Sequence, residues 1–430
     1  MSNSSFQFAN PSQIKRAKEV LHLDHVAVCR GYTGVSGRRG LHKGGCESWC
    51  CAWAPDHSFL AWSAGHRMIH LIPWDAKQPK KHDPNDTQGL GGRQYHIIDC
   101  GEIVHSMVFG HSSNRIHKQR WKRQRCDITS LVLASGHPSG RIKLWNCETG
   151  ALLLEIMDHK DIVHDLHFTH DGTLGLASAS RDGSVKLWEF DEQGDCNLYL
   201  TIKTNTNHAF CCRWSPNRNY VAVVGSIKMA LLFVLEDRKV KSRLRLEGHH
   251  HDVVNCDFSP DGALLATASY DSRIIIWDVD NRTQIAELGH LYPKPGLIYA
   301  GGANDHYVYS VKFSPEGTRL ASVGDDGYVR VWQLPDMSDP VTIAAVDGGR
   351  CCSFSSDGQL LTVGTSAGSL CVLATPRGGV CSLMHMCRSV VRSLVTTPDI
   401  PALPLPRGLH KYLAYKENSS DDSLAAGKNW

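Results

Sequence analysis

The run Gly248-His249, then Cys256-Asp257-Phe258-Ser259-Pro260-Asp261-Gly262, then Ala266-Thr267-Ala268-Ser269-Tyr270-Asp271-Ser272-Arg273-Ile274-Ile275-Ile276-Trp277-Asp278, decides how this chain folds. It recurs upstream, position for position. The earlier copy reads Asp158-His159, Leu166-His167-Phe168-Thr169-His170-Asp171-Gly172, and Ala177-Ser178-Ala179-Ser180-Arg181-Asp182-Gly183-Ser184-Val185-Lys186-Leu187-Trp188-Glu189. Each copy holds three short runs suited to β-strands. The breaks between them carry turn chemistry, with Asp-Gly after the first run and Asp182-Gly183 or Asp271-Ser272 after the second. Self-similarity at about forty residues marks stacked supersecondary units that bury their apolar faces only against one another.

Five further copies are visible. Residues 307–332 contain Phe313-Ser314-Pro315-Glu316-Gly317 and Gly324-Asp325-Asp326-Gly327; residues 131–145 end in Gly140-Arg141-Ile142-Lys143-Leu144-Trp145; residues 49–74 contain Trp53-Ala54-Pro55-Asp56. Two copies are degenerate, 210–233 with Phe233-Val234 at the Trp-Asp position and 351–373 with Leu373 there. The repeat resembles the WD40 repeat, so the expected fold is all-β: a seven-bladed WD40 β-propeller over residues 44–375. A closed ring removes exposed sheet edges. The resemblance also implies a buried hydrogen-bonded set in each complete blade, here His159, Ser180, Asp182 and Trp188, and His249, Ser269, Asp271 and Trp277. Such a set must be fully satisfied, and its recurrence favours turn-holding over a hydrolase triad. The copy ending at Trp145 has His137 and Ser139 at the Ser and Asp positions, and the last has Ala367 for Asp, so both are expected to close by packing.

Composition narrows the classes. The chain has 430 residues, 42% hydrophobic and 21% charged, with net charge +3, too small to imply a nucleic-acid partner. The start, Met1-Ser2-Asn3-Ser4-Ser5-Phe6, lacks the basic flank and apolar run of a secretory leader. The longest apolar stretch, 221–235, is interrupted by Lys228 and too short to span a bilayer. Of the 16 cysteines, Cys51, Cys212, Cys256 and Cys352 each stand two residues before an aromatic, Trp53, Trp214, Phe258 or Phe354, which places them on one face of equivalent strands as small buried hydrophobes. No Cys-x-x-Cys occurs, His249-His250-His251 is read as part of the turn network, and no phosphate-cradling loop is present, so no metal and no cofactor are expected. Two inserts, 77–93 and the basic run 111–125, read as solvated loops; the second also suits a nuclear-localisation patch.

Beyond residue 375 the repeat stops. Leu383, Cys387, Val391 and Leu394 form one helical stripe, which needs a partner groove because a short helix buries little alone. Ser382, Leu383, Met386, Cys387 and Val391, followed by Leu403-Pro404-Leu405-Pro406, resemble a SOCS box, a small C-terminal α-helical module (residues 376–415). The resemblance implies that the first set binds the elongin B–elongin C pair, with Met386 where leucine is common, and that the second set steers the choice of cullin 5 with its RING protein. WD40 repeats followed by a SOCS box resemble the WD repeat and SOCS box-containing proteins. The expected role is therefore a non-catalytic substrate receptor of a cullin–RING ubiquitin ligase, intracellular, cytoplasmic, and nuclear if the basic run acts as a localisation signal. The alternative is a propeller scaffold with no ligase role. Protein substrates are expected at Arg181, Tyr270 and Asp325, the variable residues before the turn aspartates; no small-molecule substrate, membrane or nucleic acid is expected. Residues 1–43 read as a partly disordered leader segment, and 416–430, with Ser419-Ser420-Asp421-Asp422-Ser423, as a disordered extension.

Overall fold

The computed structural model describes residues 15–16, 18–23, 48–63, 67–74, 95–111, 131–190, 195–290, 307–334, 337, 340–375 and 383–415. The inserts 77–93 and 112–125, Ser382 and the extension 416–430 lie outside them.

Seven antiparallel sheets form the ring. Blade one begins at Cys51–Trp53, blade two at Ser106–His111, blade three at Val163–Phe168, blade four at Ala209–Trp214, blade five at Val253–Phe258, blade six at Val308–Phe313 and blade seven at Gly349–Phe354. These first strands touch one another in succession all the way round, so they line the central channel. The core is divided accordingly into seven apolar clusters, one in each gap between neighbouring blades. Cys212, Cys256 and Cys352 are buried in three of these gaps and Cys51 in another, and the described cysteines are free thiols.

The turns follow the residues. Gly183 and Ser272 hold equivalent positions with φ of 78° and 65°. The first is free for glycine, whereas serine accepts strain there. In antiparallel blades the turns after strands one and three fall at one end and those after strands two and four at the other. Asp182 and Asp271 mark the second end, called upper here.

Within the segment 1–43, set apart by the sequence reading, the described residues add strands to the propeller. Lys18–Leu23 is the outer strand of blade seven, antiparallel to Leu370–Ala374, and Lys15–Arg16 adds a parallel edge to blade six. The ring thus closes with strands from both ends of the repeat array.

Candidate functional site

The polar sets of the blades differ from expectation by two residues. In blade five His249 Nδ1 donates to Asp271 Oδ2 at 3.0 Å, which leaves Nε2 to accept from the Thr267 hydroxyl at 2.8 Å; Trp277 Nε1 donates to the same oxygen at 2.9 Å. In blade three the hydroxyl is Ser178, 2.8 Å from His159 Nε2 and 2.9 Å from Trp188 Nε1, while His159 Nδ1 meets Asp182 at 2.9 Å. Ser180 and Ser269 instead bridge the amides of Asp182 and Asp271 to backbone carbonyls of the preceding connection. Burial alone would raise the Asp182 and Asp271 carboxyls, but hydrogen bonds from the two histidines and nearby amides hold both well below the usual range. Blade six repeats the arrangement with His290, Ser322 and Trp332.

Blade two, expected to lack the set, rebuilds it. His137 Nδ1 donates to the Ile103 carbonyl at 3.1 Å, so Nε2 accepts from Ser135, which receives the Trp145 N–H at 2.8 Å. The histidine comes from the turn directly after the second strand instead of the connection preceding the blade. Blades one, four and seven replace hydroxyl and tryptophan together: register places Trp62 and Ile72, Val223 and Phe233, and Val363 and Leu373 at the paired positions. In blade one the tryptophan position is therefore Ile72, and Trp74 lies two residues beyond it. In blades four and seven, replacing both partners by apolar groups leaves nothing unsatisfied at these positions, which is close to neutral, whereas in blade one the buried Trp62 indole N–H has no acceptor among the described residues.

The lower half of the channel contains a cavity of about 350 Å³ lined by residues including Asp165, His167 and Arg213. Its charges are already engaged. Arg213 pairs with Asp165 and lies 3.6 Å from Asp257; Lys312 reaches Asp257 at 2.8 Å; and the two carboxylates accept the Cys212 and Phe313 amides. These groups tie neighbouring inner strands together.

At the upper end, the amides of Arg181, Tyr270 and Asp325 bond the carbonyls of Ile162, Asp252 and Tyr307, one residue in each of three connections. Tyr270 and Asp325 share one cluster: Tyr270 lies 4.7 Å from Tyr307 and 6.2 Å from Tyr309, and Tyr309 donates to Asp325 at 3.3 Å. Arg350 covers the Tyr309 ring at 4.5 Å. Arg181 stands apart on blade three, near Asp161, its carbonyl bonded to His208. There a second aromatic chain runs Trp49, His105, His164, Phe210, His208. Sequence reasoning missed Tyr307, Tyr309, Arg350 and this chain; their common mark is position, at the start of the inner strands.

The carboxyl-terminal module sits at the opposite, lower end. It comprises helix α1 (Leu383–Leu394), a 3-10 turn (Thr397–Ala402) and helix α2 (Arg407–Leu413). Arg388 is buried between the rings of Tyr412 and Tyr415, 4.2 Å from each. The Tyr415 hydroxyl donates to Asp261 Oδ2 at 2.5 Å. Burial and that carboxylate push the phenol well above its usual pKa. Arg392, also buried, bonds Thr397 at 2.8 Å and approaches Asp280; Thr397 in turn bonds Asp278 and Asp280. Asp261 and Asp280 lie in the turns after strands one and three of blade five, and Asp278 ends strand three.

Helix α1 is consequently inside out. Its arginines are buried, while Cys387 is exposed and Met386, Val390 and Leu394 are 50%, 62% and 81% exposed. The outward valine is Val390. It stands three residues after Cys387 and four before Leu394, on their face of the helix, and the Val391 of the sequence reading is half-buried. Leu403-Pro404-Leu405-Pro406 follows as a bent connection into α2, the Leu405 amide donating to the Leu403 carbonyl at 2.8 Å, with Leu405 exposed.

Comparison with known proteins fits this division. The SOCS box family model matches residues 379–414, and the model of the WD domain, G-beta repeat matches 150–189, 238–278 and 298–333. WD repeat and SOCS box-containing protein 1 of Homo sapiens is 43% identical over 395 residues, and that of Danio rerio 42% over 396; each match covers 87% of this chain and 92% of the relative. The Xenopus tropicalis protein of the same name is 40% identical over 395 residues with the same coverage. Those relatives are member 1, the member that Glu247-Gly248-His249-His250-His251-Asp252-Val253-Val254 and Gly289-His290-Leu291-Tyr292-Pro293 resemble.

Proposed function

This chain belongs to the WD repeat and SOCS box-containing family, as a propeller receptor joined to a SOCS box, and we propose on that premise that it recruits substrates to an elongin B/C–cullin 5 ubiquitin ligase. The outward face of α1, with Cys387, Val390 and Leu394, seats in elongin C, and the motif residue Leu383 belongs to the same contact. Leu403-Pro404-Leu405-Pro406 is presented beside it for cullin 5 and its RING protein. The observation that carries this reading is the inverted helix: apolar side chains worth about 1.5–3 kcal/mol each when buried stand in solvent, while two arginines are buried to hold them there.

The upper end, opposite the box, is where substrate binds in this reading, on the Tyr270–Tyr307–Tyr309 cluster with Asp325 and on the Arg181 side. Tyr and Arg are favoured interface anchors. The chain supplies positioning and raises the local concentration of substrate lysines; ubiquitin transfer belongs to the enzyme carried by the cullin. Reduced thiols accord with a place inside the cell, in the cytoplasm and, through the basic run, the nucleus.

The test is co-purification. Leu383→Ala with Cys387→Ala is expected to remove elongin C while the propeller keeps its melting temperature. Retained elongin binding by this variant would leave a propeller scaffold without a ligase role.

A further inference from the structure

The strand that closes the ring is thinly held. Along Lys18–Leu23, only Leu21 and Leu23 are half-buried, both against the cluster between blades seven and one; Lys18, Glu19, Val20 and His22 are exposed. Its partner strand lies more than three hundred residues away in sequence. Two leucines and one edge ladder are little to set against the entropy of fixing that loop.

Register brings three donors together on this strand. His22 stands opposite Cys371 and Glu19 opposite Leu373, with a bulge between Glu19 and Leu21. Residues three apart on an unbroken strand point to opposite faces. The extra residue of the bulge turns Glu19 back to the face of His22. His22 Nδ1 therefore lies 3.2 Å from Cys371 Sγ and 3.3 Å from Glu19 Oε1, and all three donor atoms fall within 4.8 Å of one another.

We propose that Glu19, His22 and Cys371 bind one zinc ion, which clasps the amino-terminal strand to blade seven. Zinc bonds of about 2.0–2.3 Å at tetrahedral angles separate neighbouring donors by roughly 3.3–3.7 Å, so the two measured separations need shifts of only a few tenths of an ångström. A thiolate in the set disfavours magnesium and calcium. The fourth position faces solvent, as the exposed Glu19 and His22 require, and takes water. Binding expels the thiol proton of Cys371 to buffer. Local cysteine spacing does not reveal such a site, because two ligands lie 349 residues apart.

Cobalt(II) tests it on the full chain, after stripping with a chelator. The expected result is the intense visible spectrum of tetrahedral cobalt with a thiolate-to-metal band, displaced by one equivalent of zinc. His22→Gln, an exposed change that spares folding, should weaken cobalt binding at least about tenfold, and Cys371→Ser should erase the thiolate band. Zinc should raise the melting temperature of the unaltered chain and not that of His22→Gln. A spectrum undiminished in His22→Gln would place the metal on other thiols and overturn the assignment, as would the absence of any tetrahedral spectrum.

Discussion

Thr267 shows how much rests on one oxygen. It serves His249 and Trp277 at once, so Thr267→Val orphans a buried imidazole nitrogen and a buried indole N–H, at about 1–3 kcal/mol for each. Melting in denaturant should show that loss, and Asp271→Ala should cost a similar amount through His249 and the His250 amide. Ser269→Ala removes one bridge and should cost less. The sequence could not separate Thr267 from Ser269, or Ser178 from Ser180: both members of each pair lie on one face of one strand, and only register assigns the partner. Acid should act through other residues. Burial lowers His137 and His164 to about 4 from the ordinary 6.5. The unfolded chain therefore binds protons first, and stability, complete above pH 6.5, is lost as pH falls toward 4, with shifts of that size worth about 3 kcal/mol per group. Melting temperatures at pH 7 and pH 5 test this, and His137→Asn should flatten the dependence. The depressed Asp182 and Asp271 act lower, losing their contribution as pH falls below the ordinary 3.8.

Among the elements, α1 carries two opposed roles that mutation can part. Val390→Asp or Leu394→Asp faces solvent in the free protein and should leave melting unchanged. Each should weaken elongin C by about 2 kcal/mol or more, roughly thirtyfold in Kd by calorimetry. Replacing Leu403, Pro404, Leu405 and Pro406 with alanine should lower cullin 5 recruitment and spare elongin, because the two prolines fix φ and their loss frees the preset backbone of the segment; joint loss of both partners would contradict the division. The helix was legible from spacing, but its stripe only in part, since Val390 and not Val391 faces out. Its inward face was not, because buried arginines break the pattern that normally marks a docked side. The closing strand escaped notice for a related reason: outer strands are the most exposed of each blade, so Lys18–Leu23 carries no trace of the repeat.

On the scale of the whole molecule, the fold was legible because seven copies share a turn grammar, which the degenerate copies keep at Trp214-Ser215-Pro216 and at Phe354-Ser355-Ser356-Asp357-Gly358. The two ends of the ring were not legible, since no single repeat records which end a tail will reach. Asp261→Ala with Asp280→Ala should release the box from blade five. Small-angle scattering should then show a longer, more variable particle, with elongin C still bound and ubiquitination of any captured substrate reduced. The same contacts have a bearing on the life of the chain. Arg388 and Arg392 are buried against Tyr415 and Thr397, whose hydrogen bonds to Asp261, Asp278 and Asp280 exist only when blade five has formed. A nascent or damaged receptor has no cradle for those arginines and cannot hold its recruiting helix at a fixed place beneath the ring. On the proposed function, an unfinished blade five would leave a tail that still recruits but sets no fixed span to the substrate end, so the reach of the ligase is tied to the folding of one blade.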